Sequence, residues 1–501
     1  MCPMVVDRRA QVNVAHLLVA TARCHARRPA LTWRGKTLDY GGFADRAATF
    51  AGWLAGSVQR DRPVVLFLDN RPELLVAMFG SFLAGCTVVP VNSRLTGDEL
   101  AFLVQDCAAG VIVTDPAHAD TARRAAGNEA IVLIAGEDFD TELDRFHPLD
   151  RAAEVGADDI AWIFYTSGTT GHPKGAMLPH DVLNFVTVSW LADLTPLTEH
   201  DVTLHATPLT HGAGFHALAA VARGAHNVIL DEPRFDPSAV FDVLAAREIT
   251  NTWLVPTQIV LLTEAAEGGG LTGADLPHLQ YVVYGGAPMS PSAMGRAIER
   301  FGPVFVQLYG QGETPMTATM LRRDEHVPAL LDSAGRPRAG IEVRVVGVDG
   351  GLLAPDEVGE IVVRGPSVMA GYWNRSEATA EAIVEGWLHT GDLGTMSADG
   401  ILHILDRTKD MIISGGSNVY AAEVERVLAA SPLVGDVAVI GTADEVWGEV
   451  VTAVVVPADA SSFDPGELDL LARGELAGYK VPRRYVAVET LPRRGNVSTA
   501  T

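Results

Sequence analysis

The chain has 501 residues, 48% of them hydrophobic and 20% charged, with a formal net charge of −24. That composition fits a globular protein of two or three domains, and the acidic excess argues against non-specific binding to nucleic acid or an anionic membrane. An anionic substrate must therefore be received by local cations against an unfavourable overall field.

From the N-terminus, "DRRAQVNVAHLLVATARCHARRPALTW" mixes charges into an amphipathic pattern without the order of a signal peptide. No run of about 18 apolar residues is present, so no membrane span is expected and the cytoplasm is the default compartment. Cys2, Cys24, Cys86 and Cys107 show neither C-x-x-C nor zinc spacing, and read as thiols in a reducing compartment. The runs "RPVVLFL", "CTVVPV", "GVIVTD", "AIVLIAG", "DIAWIFY", "HNVIL", "LQYVVYGGAP" and "PVFVQLYG" predict short buried strands separated by helical patterns. That alternation predicts an α/β fold with mainly parallel sheets covered by helices.

"YTSGTTGHPKG", residues 165–175, follows one of these strands, where ligands of α/β sheets gather. Gly/Ser/Thr clusters are ordinary loops in most proteins, but this one carries Lys174 in a chain with only four lysines among 38 basic residues. It is not a Walker A loop, because Pro173 precedes the lysine and Gly175 follows it. The loop would hold phosphate with backbone N–H groups and the hydroxyls of Ser167, Thr169 and Thr170, with Gly168, Gly171 and Gly175 allowing close approach. Near residue 406 the texture changes. "ILHILDRTKDMIISGG" predicts two strands around a charged turn, "AAEVERVLAA" an amphipathic helix, and "GDVAVIGT" and "GEVVTAVVVPA" further strands. The expected organisation is a large N-terminal α/β body, 1–405, and a small, mobile α+β domain, 406–501.

Five motifs in one order, "YTSGTTGHPKG" (165–175), "PLTHGAGF" (208–215), "YGQGETP" (309–315), "GWLHTGDLG" (386–394) and "DRTKDMIISGGSNVYAAEVE" (406–425), resemble the acyl-CoA synthetase branch of the AMP-binding, adenylate-forming enzymes. The resemblance covers nearly the whole chain. It implies a reaction in which a carboxylate attacks the α-phosphorus of ATP to give an acyl-adenylate. The small domain then rotates and the thiol of CoA displaces AMP. ATP/AMP, CoA and Mg²⁺ are the implied cofactors. The implied partners are a lipophilic carboxylic acid or its acyl-AMP and CoA, with a carrier-protein phosphopantetheine left open as acceptor and a homodimer compatible with the pattern.

The resemblance also distributes roles. Thr166 through Gly171 and Lys174 would cradle the β- and γ-phosphates, and Thr166, Lys174, His211 and Glu313 form the implied catalytic set. Glu313 would hold Mg²⁺, a hard cation suited to carboxylate oxygen. Gly286, Ala287, Tyr309, Gly310, Gln311 and Gly312 would flank the nucleotide. Gly312 stands where threonine is usual, so a hydroxyl aimed at phosphate is lost. Asp392 would accept from the ribose hydroxyls, and Arg407 would contact ribose or phosphate. Lys409 falls at the hinge, and Gly415 and Gly416 fall where the pantetheine arm passes. His211, Phe215, Gly285, Met289 and Met316 would line a mostly apolar acyl pocket, although core packing accounts equally well for most of these, and for Phe185.

The final stretch, "LPRRGNVSTAT" (491–501), departs from the family. A lysine that would reach the carboxylate and α-phosphate is replaced by Ser498 or Ala500, depending on register, and no lysine follows Lys480. Losing one preorganised transition-state donor costs on the order of 3–4 kcal/mol. Adenylation is therefore expected to be impaired and thioester formation much less so. A half-enzyme that takes pre-made acyl-AMP, a slow adenylating enzyme, a clipped or mutated chain end, and a non-catalytic nucleotide-binding homologue remain as alternatives.

Overall fold

The structure is a computed structural model that describes residues 12–166, 173–232, 235–407, 412–414, 417–419, 421–444, 448–459, 463–476, 478 and 480–491. It divides into two compact units. One combines residues up to Val343 with Val363–Leu388, and the other combines Arg344–Val362 with His389 onward.

The first unit is α/β, as the alternating pattern predicts. One seven-stranded sheet runs in the order Gly371–Tyr372, Lys174–Pro179, Ile160–Thr166, Val88–Pro90, Val64–Phe67, Val111–Thr114, Ile131–Ile134. Its last five strands are parallel to one another. At the other side Ile160–Thr166 turns back antiparallel onto Lys174–Pro179, which puts Thr166 opposite Lys174. The adjoining strand then sets Tyr372 opposite Ala176. A second, nine-stranded sheet has a parallel centre formed by Phe305–Tyr309, Tyr281–Tyr284, Asn251–Leu254, Val202–His205, His226–Ile229 and Pro29–Trp33. Antiparallel strands close both of its edges.

The strands are short and fully apolar where helices cover both faces. Val64–Phe67 and Val111–Thr114 are buried at every residue, the expected pattern for the interior of a parallel sheet. Pro72–Ala84 packs between them and the N-terminal helices, with proline in its first turn and Gly85 at φ 72° as its C-terminal stop. Gly212–Arg223 is the other central helix, buried from Gly212 to Val221. Its first residues are small because neighbours crowd them. A Cβ on Gly212 would come within 2.7 Å of the Met316 side chain.

The second unit carries its own apolar core, with Val424, Leu428, Val439, Val451, Ala453, Val455 and Leu468 among its members. Val434–Asp444 and Gly448–Pro457 form a long antiparallel pair, Arg484–Ala487 adds in parallel, and helices Ala421–Ala429 and Pro465–Glu475 complete the unit's layer. Trp387–Met396 pairs antiparallel with Leu402–Arg407, which sets Asp392 opposite Arg407 in register. Among the described residues no helix is long and apolar enough to cross a membrane.

Candidate active site

Glu313 is the centre of the best-defined polar cluster of the first unit. It follows the central strand Phe305–Tyr309 through a tight turn. Gly310 takes φ 157°, Met316 N donates to Gln311 O, and Met316 itself is held at φ 56°. A non-glycine residue in the left-handed region is uncommon and tends to accompany functional segments. Gly285 sits in the equivalent place after the neighbouring strand Tyr281–Tyr284. Among the positions predicted for nucleotide and acid, Gly285–Ala287 and Tyr309–Glu313 therefore follow the carboxyl ends of neighbouring parallel strands, the usual ligand edge of such sheets.

The Glu313 carboxylate is 7% exposed. Its Oε1 accepts from Thr166 Oγ1 at 2.9 Å and from the Tyr372 hydroxyl at 2.9 Å. Among the described residues Oε2 has no protein partner, which leaves one carboxylate oxygen for a ligand. Burial, and then the charge of Glu313, push the Tyr372 phenol pKa above its ordinary value, so Tyr372 stays a donor. Lys174 Nζ lies 5.2 Å from the centre of the Tyr372 ring and makes no ion pair among the described residues. A carboxylate with one free oxygen, held by two hydroxyls beside a free ammonium, can carry a hard cation and an anion together. The residues present thus fit Mg²⁺.

Tyr372 escaped sequence reading. "MAGYWN" carries no spacing signal of its own, and only the strand pairing with Ala176 brings it to Glu313. Its neighbours anchor it: Trp373 N donates to Gly175 O at 2.8 Å, and Arg375 Nη2 pairs with Asp106 at 2.5 Å. Tyr165 is also tied to Asp106, at 2.7 Å.

Gly312 lies against the same cluster. A Cβ there would come within 2.5 Å of the Phe164 ring and 2.7 Å of Thr166. The space that a threonine would need is filled by Phe164. That ring stacks on Phe215 at 5.8 Å and meets His211 edge-on at 5.9 Å, while Phe215 stacks on Trp162 at 4.8 Å. His211 caps the start of Gly212–Arg223, and its Nδ1 is 3.0 Å from Thr210 Oγ1. It keeps exposed surface while protein atoms crowd its other sides, as on a cleft wall, and that crowding lowers its imidazole pKa. Phe215 is wholly buried, Gly286 and Ala287 are exposed, and Met289 packs against the neighbouring core of Leu204, Val240 and Tyr284.

Asp392 belongs to the second unit, where it is 5% exposed. The preceding turn is pinned: Thr390 Oγ1 donates to Ile361 O at 2.6 Å, and Glu360 accepts from Gly391 N at 3.0 Å. Ser167, Gly168, Thr169, Thr170, Gly171, Lys409, Gly415, Gly416, Ser498, Ala500 and the side chain of Arg407 lie outside the described residues. Lys480 pairs with Glu423 at 2.7 Å.

A cavity of about 600 Å³ lies elsewhere in the first unit, bordered by Trp33, Asp69, Arg71 and Asp115. Asp69 and Asp115 approach His118 there, but their oxygens are already taken by Ser93, by backbone N–H groups and by His118 itself.

The AMP-binding enzyme family model matches residues 18–373, and the AMP-binding enzyme C-terminal domain matches 423–497. The chain belongs to the AMP-binding, adenylate-forming enzyme family, in its acyl-CoA synthetase branch. These are AMP-forming acid–thiol ligases that use ATP and CoA. A feruloyl-CoA synthase of an Amycolatopsis species is 40% identical over 95% of each chain. An indoleacetate–CoA ligase of Aromatoleum aromaticum is 36% identical over 93% of this chain and 92% of its own. Among solved structures, ATP-bound MatB from Rhodopseudomonas palustris superimposes with a TM-score of 0.88, at 32% identity and 96% of both chains.

Proposed function

We propose that this family member joins a lipophilic aryl or fatty acid to CoA through an acyl-adenylate, with adenylation the slower half-reaction. Glu313 carries the proposal: one oxygen is fixed by Thr166 and Tyr372, the other has no partner among the described residues, and the Lys174 ammonium stands nearby. In that role Glu313 would hold Mg²⁺, which neutralises phosphate charge when bound. Thr166 and Lys174 would face the polyphosphate, and Asp392 the ribose. His211 and Met316 would border the acid. Two relatives named for feruloyl and indoleacetate substrates favour an acid with a ring. The slower adenylation is inferred from the neutral Ser498 or Ala500 at the position where the resemblance implies a lysine.

The test is a paired assay of full-length protein. One mixture holds acid, ATP, Mg²⁺ and CoA, and the other holds synthetic acyl-AMP and CoA. Thioester should form in both, about 10²–10³ times faster from acyl-AMP. Equal rates would remove the adenylation defect. Thioester from acyl-AMP alone would identify the half-enzyme. Thioester from neither would overturn the function.

A further inference from the structure

Arg338 is among the largest fully buried side chains of the protein, with 0% of its side chain exposed. A guanidinium in such a place normally meets short, charge-assisted hydrogen bonds. Here every contact is long. Nε is 3.5 Å from Asp193 Oδ2, and Nη1 is 3.4 Å from Thr317 Oγ1 and 3.5 Å from Met316 O. Nη2 has no hydrogen-bond partner among the described residues. Asp193 is itself shared, since the same oxygen accepts from Ala339 N at 3.1 Å and Ser189 Oγ at 3.2 Å. Leaving a buried charged donor unsatisfied is costly, so a cation so poorly served needs another explanation.

Its location supplies one. The guanidinium touches Met316 and Thr317, the third and fourth residues after Glu313, so the two sites are joined by a segment spanning at most about 11–14 Å. The Met316 side chain faces Gly212, next to His211, and Trp253 shares that contact. Asp193 comes from a single π-helical turn, Trp190–Leu194, which ends the helix that begins at His180. Such turns are rare and concentrate at functional sites. Met316 at φ 56° adds a second local irregularity on the same wall.

We propose that Arg338 is a specificity-determining residue, whose Nη2 donates to an oxygen at the far end of the bound acid. The proposal rests on the acyl-CoA ligase reading above and names its substrate class. The oxygen should be neutral (a phenol, methoxy or carbonyl), because Asp193 already balances the guanidinium and a second carboxylate would be buried without a counter-charge. A ring two carbons from the reacting carboxylate gives a frame on which that oxygen can be varied.

The test uses full-length protein and four acids on one frame: 3-phenylpropanoic acid and its 4-hydroxy, 4-methoxy and 4-carboxy derivatives. Each is supplied with ATP and CoA and, separately, as its acyl-AMP. The wild type should favour the hydroxy and methoxy acids over the parent by about 10–100-fold in kcat/KM, mostly through KM. In the R338M/D193L double variant, which removes both charges and keeps volume, that preference should fall to about one. R338K should retain an intermediate preference. An unchanged preference in the double variant, or a wild type that prefers the 4-carboxy acid, overturns the proposal. If the double variant does not fold, the wild type still decides, because equal kcat/KM for parent and hydroxy acids also overturns it. Absence of thioester from every acid and every acyl-AMP would instead overturn the ligase reading itself.

Discussion

Glu313 and His216 are both buried polar side chains of the first unit, one 7% and the other 0% exposed, yet their surroundings oppose each other. Glu313 stands at the carboxyl edge of a sheet, with two hydroxyls converging on one oxygen and the half-buried Lys174–Tyr372 pair beside it. His216 lies inside the Gly212–Arg223 helix, stacked on Trp190 at 4.9 Å and edge-on to His205 at 5.8 Å. Neither of its ring nitrogens has a hydrogen-bond partner among the described residues, and Asn251 acts on its proton affinity without reaching bonding geometry. His205 bonds Asn227 at 2.9 Å through Nε2 and leaves Nδ1 bare. Desolvation drives the two imidazoles down to about 4 and about 3. A strongly displaced pKa is often read as a mark of chemistry. Here a sealed cluster is strongly displaced, and so is the Tyr372 phenol beside Glu313, so displacement does not separate the two regions and strand-end position does.

The sharpest way to break this contrast is to neutralise Glu313. E313Q keeps an acceptor for Thr166 and Tyr372, so the fold should survive, but it removes the charge that would hold the cation. The expected loss is about 10²–10³ in adenylation rate. It is read as pyrophosphate release, with a melting temperature near wild type. A full rate in E313Q would place the catalytic carboxylate elsewhere.

The imidazole cluster should instead respond through stability. Both folded-state values lie below the ordinary histidine value, so the unfolded chain binds more protons in the interval between. Stability is therefore complete above about pH 6.5 and falls as pH drops toward about 4, by on the order of 3 kcal/mol for each histidine. H216F keeps the stacking on Trp190 and removes the titration. Urea unfolding at pH 7 and pH 5 should show a smaller difference in H216F than in wild type. An identical difference would remove His216 from the acid response.

The same contrast governs what was legible in the sequence. All eight apolar runs read as strands in the first unit form strands, because their clustered Val, Ile, Leu and aromatic residues are mostly buried beneath helices. Val202–His205 and Asn251–Leu254 were not legible. They carry Thr203, His205, Asn251 and Thr252, each buried and mostly satisfied by one another or by backbone, as in the Thr203–Asn251 bond at 3.0 Å. Polarity that is paid for only in the folded sheet looks like loop in one dimension. Glu313 and Thr166 were found through their motifs, and the structure joins them across 147 positions. Tyr372 was missed, since a tyrosine set beside Glu313 by strand pairing leaves no periodic trace.

Gly312 tests how tightly the carboxylate site is packed. Restoring threonine there would force its Cβ against Phe164 and Thr166. G312T is expected to lose about 1–3 kcal/mol of stability by overpacking. Pairing it with F164L should recover most of that loss, as a shared-space clash must. Additive losses in the double variant would mean that the two residues do not compete for the same volume.

The mildest change is Y372F, which deletes one of the two donors to Oε1 and leaves the ring under Lys174. A hydrogen bond to a charged group contributes about 1.5–3 kcal/mol, but Thr166 and a bound cation would share the burden of the carboxylate. The expected effect is therefore about tenfold on adenylation, below that of E313Q, and it should appear as a higher Mg²⁺ requirement before it appears in the maximal rate. The hydroxyl is a positioning group, so the E313Q/Y372F pair should lose little more than E313Q alone: with the charge gone there is nothing left for the phenol to orient. Full additivity of the two losses would show Tyr372 acting on the substrate directly, and the carboxylate cluster would then be two neighbouring sites in place of one.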